Sequence, residues 1–340
     1  MGQLVVFLQK LVRFFYKAIS LRLTARRHGH DLTAVRDCTA HIKAGDMLAF
    51  VVLRNEAVRI PYFLDYYRKL GVDHFLFVDN ASDDGFMAVI GAAQDCSVWH
   101  TGASYKAAKF GVHWLNFLLG KYGTGHWCLT LDPDEFLVYP YSHSRSLHEL
   151  ARYLGQEGKQ SFFTLMLDMY SEGDVDDALY HAGQDPLEVC PWFDGTGYYQ
   201  DKRPHYGEWW IRGGVRRREF FADQPHLSPA LNKTVLVKWR WYYAYIASTH
   251  IVWPNRLNNP HFADTLAPTG CLLHFKYLAL LREKAEEELE RKQHYAGSFE
   301  YNRYLSGLNK KNRLWTEASV RFQGWQQCVD LGLMNIGRWF

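Results

Sequence analysis

Residues 47–57, MLAFVVLRNEA, open with a near-continuous apolar run containing β-branched residues, the pattern of a strand covered on both faces. Residues 60–71, IPYFLDYYRKLG, start with a proline, keep apolar positions at helical spacing and close on a glycine, which predicts a helix with marked ends. Residues 72–85, VDHFLFVDNASDDG, then run from a second apolar segment into a loop of Asp, Asn, Ser and Gly. Strand, helix and strand in that order predict a right-handed βαβ unit and so a parallel sheet. Open α/β sheets bind ligands in the loops at their strand C-termini.

The alternation continues with a short strand at 96–100, a helix over 106–123 and a strand within 126–140 that breaks at Pro133. Further on, strands are expected at 160–170 and 232–241, around a long Gly-, Pro- and aromatic-rich segment at 177–210. A segment that long usually carries function or covers a site. A strong helix is expected over 277–296, with the last 40 residues mostly helical. The organisation expected is a lead-in over 1–40, an α/β body over 41–276 and a helical region over 277–340. With 340 residues the chain buries a substantial core. The high aromatic content, 16%, suits stacking on sugars or bases, although most of it is expected in the core.

The net charge of +3, without a zinc finger, an RNP-like aromatic strand or a long basic run, argues against a nucleic-acid partner. The six cysteines, Cys38, Cys96, Cys128, Cys190, Cys271 and Cys328, form no C-x-x-C pair. They are expected to be buried thiols in a reducing, cytoplasmic compartment.

Charge is uneven along the chain. Residues 1–30 hold six basic side chains (Lys10, Arg13, Lys17, Arg22, Arg26 and Arg27) and no acidic one, interleaved with apolar residues. The apolar stretches are shorter than the about 20 residues a membrane span needs, and basic residues inside them do not suit a signal peptide. Two readings of this basic amphipathic segment stay open: an anionic membrane surface on the cytoplasmic side, and packing on the domain or on a second subunit.

Two acidic loops follow strands: Asp79, Asp83 and Asp84 in one, and Asp132, Asp134 and Glu135 of LTLDPDEFLVYP in the other. Such carboxylates repel one another unless a cation or a hydrogen-bonding ligand compensates, as a divalent ion carrying substrate phosphates would. Turn and cap roles explain Asp79 and Asp83 equally well. They explain LDPDEF less well, because its charge is wedged between apolar strands.

Taken together, FVVLRNEA, FVDNASDDG and LTLDPDEFLV resemble the motifs of GT-A glycosyltransferases, in particular a bacterial family-2-like group that reads L-x-R-N-E, D-N-x-S-x-D-G and D-x-D-E-F. The resemblance covers residues 47–140 firmly and 211–220, 232–239 and 272–277 loosely. It implies a GT-A type mixed, mostly parallel sheet flanked by helices, with 47–140 as the nucleotide-binding half and 141–276 as the acceptor half. It also implies metal-dependent, inverting transfer from a nucleotide-diphosphate sugar, with UDP favoured, to a cell-surface, exported or lipid-linked glycan.

By resemblance, Arg54, Asn55 and Glu56 border the nucleoside, Asp79 faces base or ribose, and Lys106 or Lys109 reaches a phosphate. Asp132 and Asp134 hold Mn²⁺ or Mg²⁺ beside the diphosphate, with Asp134 also catalytic. His274 is the expected C-terminal metal ligand, and His250 a second candidate. Arg216, Arg217 and Arg218 with Lys233 and Lys238 form a basic set that suits phosphate, Arg216 and Arg218 being the chosen donor contacts. For the base that an inverting reaction needs, Glu208 is preferred over Asp201, Asp168 and Glu135. Two rivals remain: a glycoside hydrolase with paired carboxylates, and a carbohydrate-binding protein with a degenerate donor site.

Overall fold

A computed structural model describes residues 2–203, 208–258, 267–291 and 299–340. The strands in chain order begin with β1 (Thr33–Arg36), β2 (Met47–Leu53), β3 (His74–Asp79), β4 (Cys96–His100) and β5 (Trp127–Leu131). There follow β6 (Glu135–Val138), β7 (Ser161–Asp168), β8 (Trp192–Asp194), β9 (Tyr199–Arg203) and β10 (Glu208–Arg212). The last are β11 (Asn232–Lys238), β12 (Ala244–Tyr245), β13 (Val252–Trp253), β14 (Gly270–His274) and β15 (Ser319–Arg321). Among the described residues, nine of them form one sheet in the order β1-β4-β3-β2-β5-β11-β7-β14-β6.

The sheet is mixed, with most strands pointing one way. β4, β3, β2 and β5 are mutually parallel, β11 reverses, and β7 and β14 resume the first direction. The edge strands β1 and β6 are antiparallel to their neighbours. The C-terminal ends of β2, β3, β5, β7 and β14 therefore share one edge of the sheet with the beginnings of β6 and β11. Every polar group discussed below as a site belongs to that edge.

Both faces of the sheet are covered, as the continuous apolar runs require. Along β2 and β3, Met47, Ala49, Val51, Phe75 and Phe77 face the helices Ile60–Leu70 and Leu147–Gln156. The alternate residues Leu48, Phe50, Leu76 and Val78 face Val112–Leu118. Helix Ile60–Leu70 has Pro61 in its first turn and Gly71 at φ 101 as its stop, and it buries Ile60, Phe63, Leu64, Tyr67 and Leu70. It also fixes the start of β6: the Tyr67 hydroxyl donates to the Glu135 carbonyl (2.8 Å) and accepts from the Leu137 N–H (3.0 Å).

Two expectations are corrected. Residues 106–111 are not helical, because Lys109, Phe110 and Gly111 have φ of 53°, 59° and 76°, and consecutive left-handed residues cannot continue a right-handed helix. The helix runs only over Val112–Leu118, followed by a wider turn, Leu119–Gly123. The last 40 residues are not mostly helical: Phe299–Lys310 and Trp325–Asp330 flank β15, which pairs with β8. The long segment expected at 177–210 contains a short helix (Pro186–Val189), β8, and the hairpin of β9 with β10. Of the helix expected over 277–296, the described part is Leu280–Arg291.

Candidate functional site

The turn between β5 and β6 carries the acidic motif, and its charge is met from the neighbouring strand. Glu135 is fully buried, and its carboxylate accepts from Lys233 Nζ at 2.6 and 2.8 Å and from the Asp132 N–H at 2.9 Å. Lys233, at the start of β11, also donates to Asp132 Oδ2 at 3.3 Å. Asp132 is half-exposed, so its carboxylate stands at the solvent side of this buried pair. Burial pushes the Glu135 carboxyl up to about 7, against the pull of Lys233. Burial works to lower Lys233, but Asp132 and Glu135 outweigh it and hold the ammonium above its ordinary value.

Next to this pair runs a second chain of contacts, from Asp134 through His274 to Asp168 and Arg216. His274 ends β14, in register with Asp168 at the end of β7 and with Glu135 at the start of β6. Its Nδ1 lies 2.6 Å from Asp168 Oδ1, and its Nε2 lies 3.4 Å from Asp134 Oδ2. Arg216 binds Asp168 in a bidentate manner, Nε to Oδ2 and Nη2 to Oδ1, both at 2.7 Å. Burial opposes a charged imidazole, but Asp134 and Asp168 raise His274 to about 9. Burial alone would raise Asp134; His274, Arg59 and Lys284 reverse this and hold it well below the carboxylate range. Asp168 is likewise held low by Arg216 and His274 in spite of its burial.

The loops after β2 and β3 are knitted into one ledge. The Asn55 N–H donates to Ser82 Oγ, and Asn55 Oδ1 accepts from the Asp83 N–H, both at 3.0 Å. Asp84 accepts from the Ala57 N–H (2.6 Å). Asp79 is buried and accepts from the Ser82 N–H (3.0 Å) and His100 Nδ1 (3.1 Å). The turn role expected for Asp79 is thus present in the ledge, whereas Asp83 contributes its backbone N–H and the accepting side chain beside it is that of Asp84, which also takes the Phe86 N–H at 3.2 Å.

Helix Leu280–Arg291 is joined to the same ledge. Arg54 Nε donates to Glu287 Oε1 at 2.8 Å, while Lys284 pairs with Glu56. Glu56 also meets Arg59 at 2.9 Å, and Arg59 Nη1 donates to the Phe275 carbonyl at 3.1 Å. The sequence motif L-x-R-N-E therefore holds helix Leu280–Arg291 by two of its side chains.

Asp132, Asp134, Lys233, His274, Asp168 and Arg216 come together; other expected residues do not join them. Arg218 pairs with Asp194 (2.9 and 3.0 Å) and donates to the Leu314 carbonyl (2.9 Å). Arg217 lies over the Tyr199 ring, 4.0 Å from its centroid. Lys238 is in register with Trp127, at the opposite edge of the sheet. Lys106 and Lys109 are exposed in the turn before Val112–Leu118. Asp201 is exposed and pairs with Arg212 at 2.7 Å. His250 sits behind Lys233, its Nδ1–H donating to the Asn232 carbonyl at 2.7 Å. Burial and Lys233 push it down to about 4. Glu208 opens β10, and its side chain lies outside the described ones.

Among the described residues no three His, Cys, Asp or Glu side chains form a ready metal cage. The donor chemistry nevertheless fits a divalent ion that takes its remaining ligands from a diphosphate. Asp134 Oδ2 and His274 Nε2 are close enough to share one ion, which would displace the proton that the two carboxylates favour on the ring. Asp168 on the other ring nitrogen supplies the orienting carboxylate that metal-bound histidines use.

The sequence matches no family model and no curated protein. Among solved structures, the chain is similar to a crystal structure of 4-diphosphocytidyl-2C-methyl-D-erythritol synthase. The likeness covers 43% of this chain and 71% of that one, at 17% identity and a TM-score of 0.25.

Proposed function

We propose that the edge cluster is the donor site of a metal-dependent, inverting glycosyltransferase that uses a nucleotide-diphosphate sugar, UDP-linked by preference. The observation that carries the reading is the facing pair of Asp134 and His274, 3.4 Å apart and backed by Asp168. In it, Asp134, His274 and Asp132 hold Mn²⁺ or Mg²⁺. The ion's contribution is to neutralise charge gathering on the departing diphosphate. Lys233 adds a fixed positive charge beside Asp132. Arg216 acts as a positioning residue, since its guanidinium is taken up by Asp168.

The sugar reacts through an oxocarbenium-like state, and the acceptor hydroxyl must give up a proton to a nearby base. Asp168 and Glu135 are poor bases, because each is buried and bound by a cation. Glu208 stays the preferred candidate. Its hairpin is tied to the site end of β11 by the Ile211 N–H on Asn232 Oδ1 (3.0 Å) and the Leu231 N–H on the Ile211 carbonyl (2.8 Å). The acceptor in this reading is a cell-surface, exported or lipid-linked glycan.

The test is nucleotide release from a set of sugar nucleotides, with Mn²⁺ or with chelator. The expected result is metal-dependent turnover of one donor, abolished in Asp134→Ala while the variant still unfolds in one cooperative transition. Turnover in chelator, or a fully active Asp134→Ala, would sink the reading.

A further inference from the structure

We infer that the helix Gly2–Gly29 is a two-faced element, docked by one side on the α/β body and built on the other to lie on an anionic lipid surface. The docked side is well defined. Ala18 and Ala25 are buried, and the Phe14 ring sits 4.6 Å from Trp253 and 5.6 Å from Tyr242. Arg22 Nη1 donates to the Trp241 carbonyl at 3.1 Å, and His28 stacks on His113 at 4.6 Å. At Gly29 a Cβ would stand 2.5 Å from the Phe117 ring, so the helix end approaches the body as closely as a glycine allows.

A second side carries large apolar residues that none of the described residues covers. Val12 is 67% exposed, Phe15 45%, Tyr16 76%, Ile19 51% and Leu23 50%. At the helical repeat these five fall in a stripe about 100° wide, centred about 120° around the helix from Ala18 and Ala25. Exposed Arg13 and Arg27 border it on one side, exposed Arg26 stands past its C-terminal end, and residues 1–30 include no acidic residue. Trp241, 44% exposed, lies beside the helix under Arg22.

An apolar stripe bordered by basic residues, with no acidic residue near it, is the make-up of a helix lying in a headgroup layer. Charge selects the occupant. A second copy of this face would set arginines against arginines, whereas an anionic bilayer accepts both the stripe and its basic border. Among the described residues no helix is long and apolar enough to cross a membrane. The inference is independent of the donor-site reading, because none of its residues belongs to the edge cluster.

The test is co-sedimentation of the full chain with vesicles of phosphatidylcholine alone or with about 30% phosphatidylglycerol. The protein is expected to pellet with the anionic vesicles only, and to be released by about 0.5 M salt. Val12→Ser/Tyr16→Ser/Ile19→Ser is expected to weaken partitioning by at least about tenfold with unchanged thermal unfolding, since the replaced side chains are exposed. Arg13→Gln/Arg26→Gln/Arg27→Gln is expected to weaken it on the order of 100-fold. Three results would overturn the inference: no pelleting of the wild type, equal pelleting of the serine variant, or a wild-type dimer that the serine variant converts to monomer.

Discussion

Lys233→Met removes the ammonium bound to the buried Glu135 and keeps most of the aliphatic stem. In the wild type, Nζ lies 2.6 and 2.8 Å from the Glu135 oxygens and 3.3 Å from Asp132, and both partners of the inner pair have fully buried side chains. Deleting one member of a buried pair typically costs about 3 to 5 kcal/mol, because the other is left charged and unsolvated. Glu135 can escape part of that cost by taking up a proton. Its folded-state pKa is already raised to about 7 by burial and rises further without the lysine.

A carboxyl with a raised folded-state pKa adds stability below its ordinary value and loses it as pH climbs through the raised one. The variant's deficit should therefore be near about 3 to 5 kcal/mol at pH 8 and smaller at pH 5.5. Urea unfolding at the two pH values measures it. Lys233→Met/Glu135→Gln should recover much of the loss at pH 8, since no buried charge remains there. A deficit below about 1 kcal/mol at pH 8, or a double variant no better than the single one, would refute the reasoning.

Three further outcomes follow from particular contacts. Asp168→Asn leaves the buried Arg216 without its bidentate carboxylate; it should cost about 3 to 5 kcal/mol in unfolding and weaken Mn²⁺ binding about 10- to 100-fold, and unchanged values in both assays would contradict its role. His250 has its folded-state pKa depressed from 6.5 to about 4, so the unfolded chain binds the extra proton in that window. Stability should fall as pH drops from 6.5 towards 4, and His250→Gln should flatten that slope in thermal melts. Gly213→Ala would bring a Cβ to 2.5 Å from the Gly197 carbonyl oxygen and 2.7 Å from Tyr198 Cα; backbone has to move, and a loss above about 2 kcal/mol is expected in urea unfolding, with an unchanged midpoint counting against the packing.

Local signals in the sequence were sufficient for the first βαβ unit. Continuous apolar runs, Pro61 and Gly71 act within one element, so they can be read without knowing what packs where. The meeting of the LDPDEF turn with His274 followed from the resemblance, and the register of β14 with β6 and β7 explains it. Long-range pairing left no such mark. Arg216 looks like part of an exposed basic run, yet it is the buried partner of a carboxylate 48 residues away. Lys284 and Glu287 look like ordinary charges on a solvated helix, and they pair instead with Glu56 and Arg54. Residues 106–111 carry helical apolar spacing, and that spacing alone does not reveal the left-handed conformations of Lys109 and Phe110.

The most direct measurement on the central claim is a calorimetric titration of the purified chain with UDP, GDP and CMP, each with and without Mn²⁺. The account predicts that one nucleoside diphosphate, UDP by preference, binds only with metal, and that Asp134→Ala and His274→Ala each abolish that binding in a folded protein. A folded wild type that binds none of the three, or binds one equally well without metal, would contradict it.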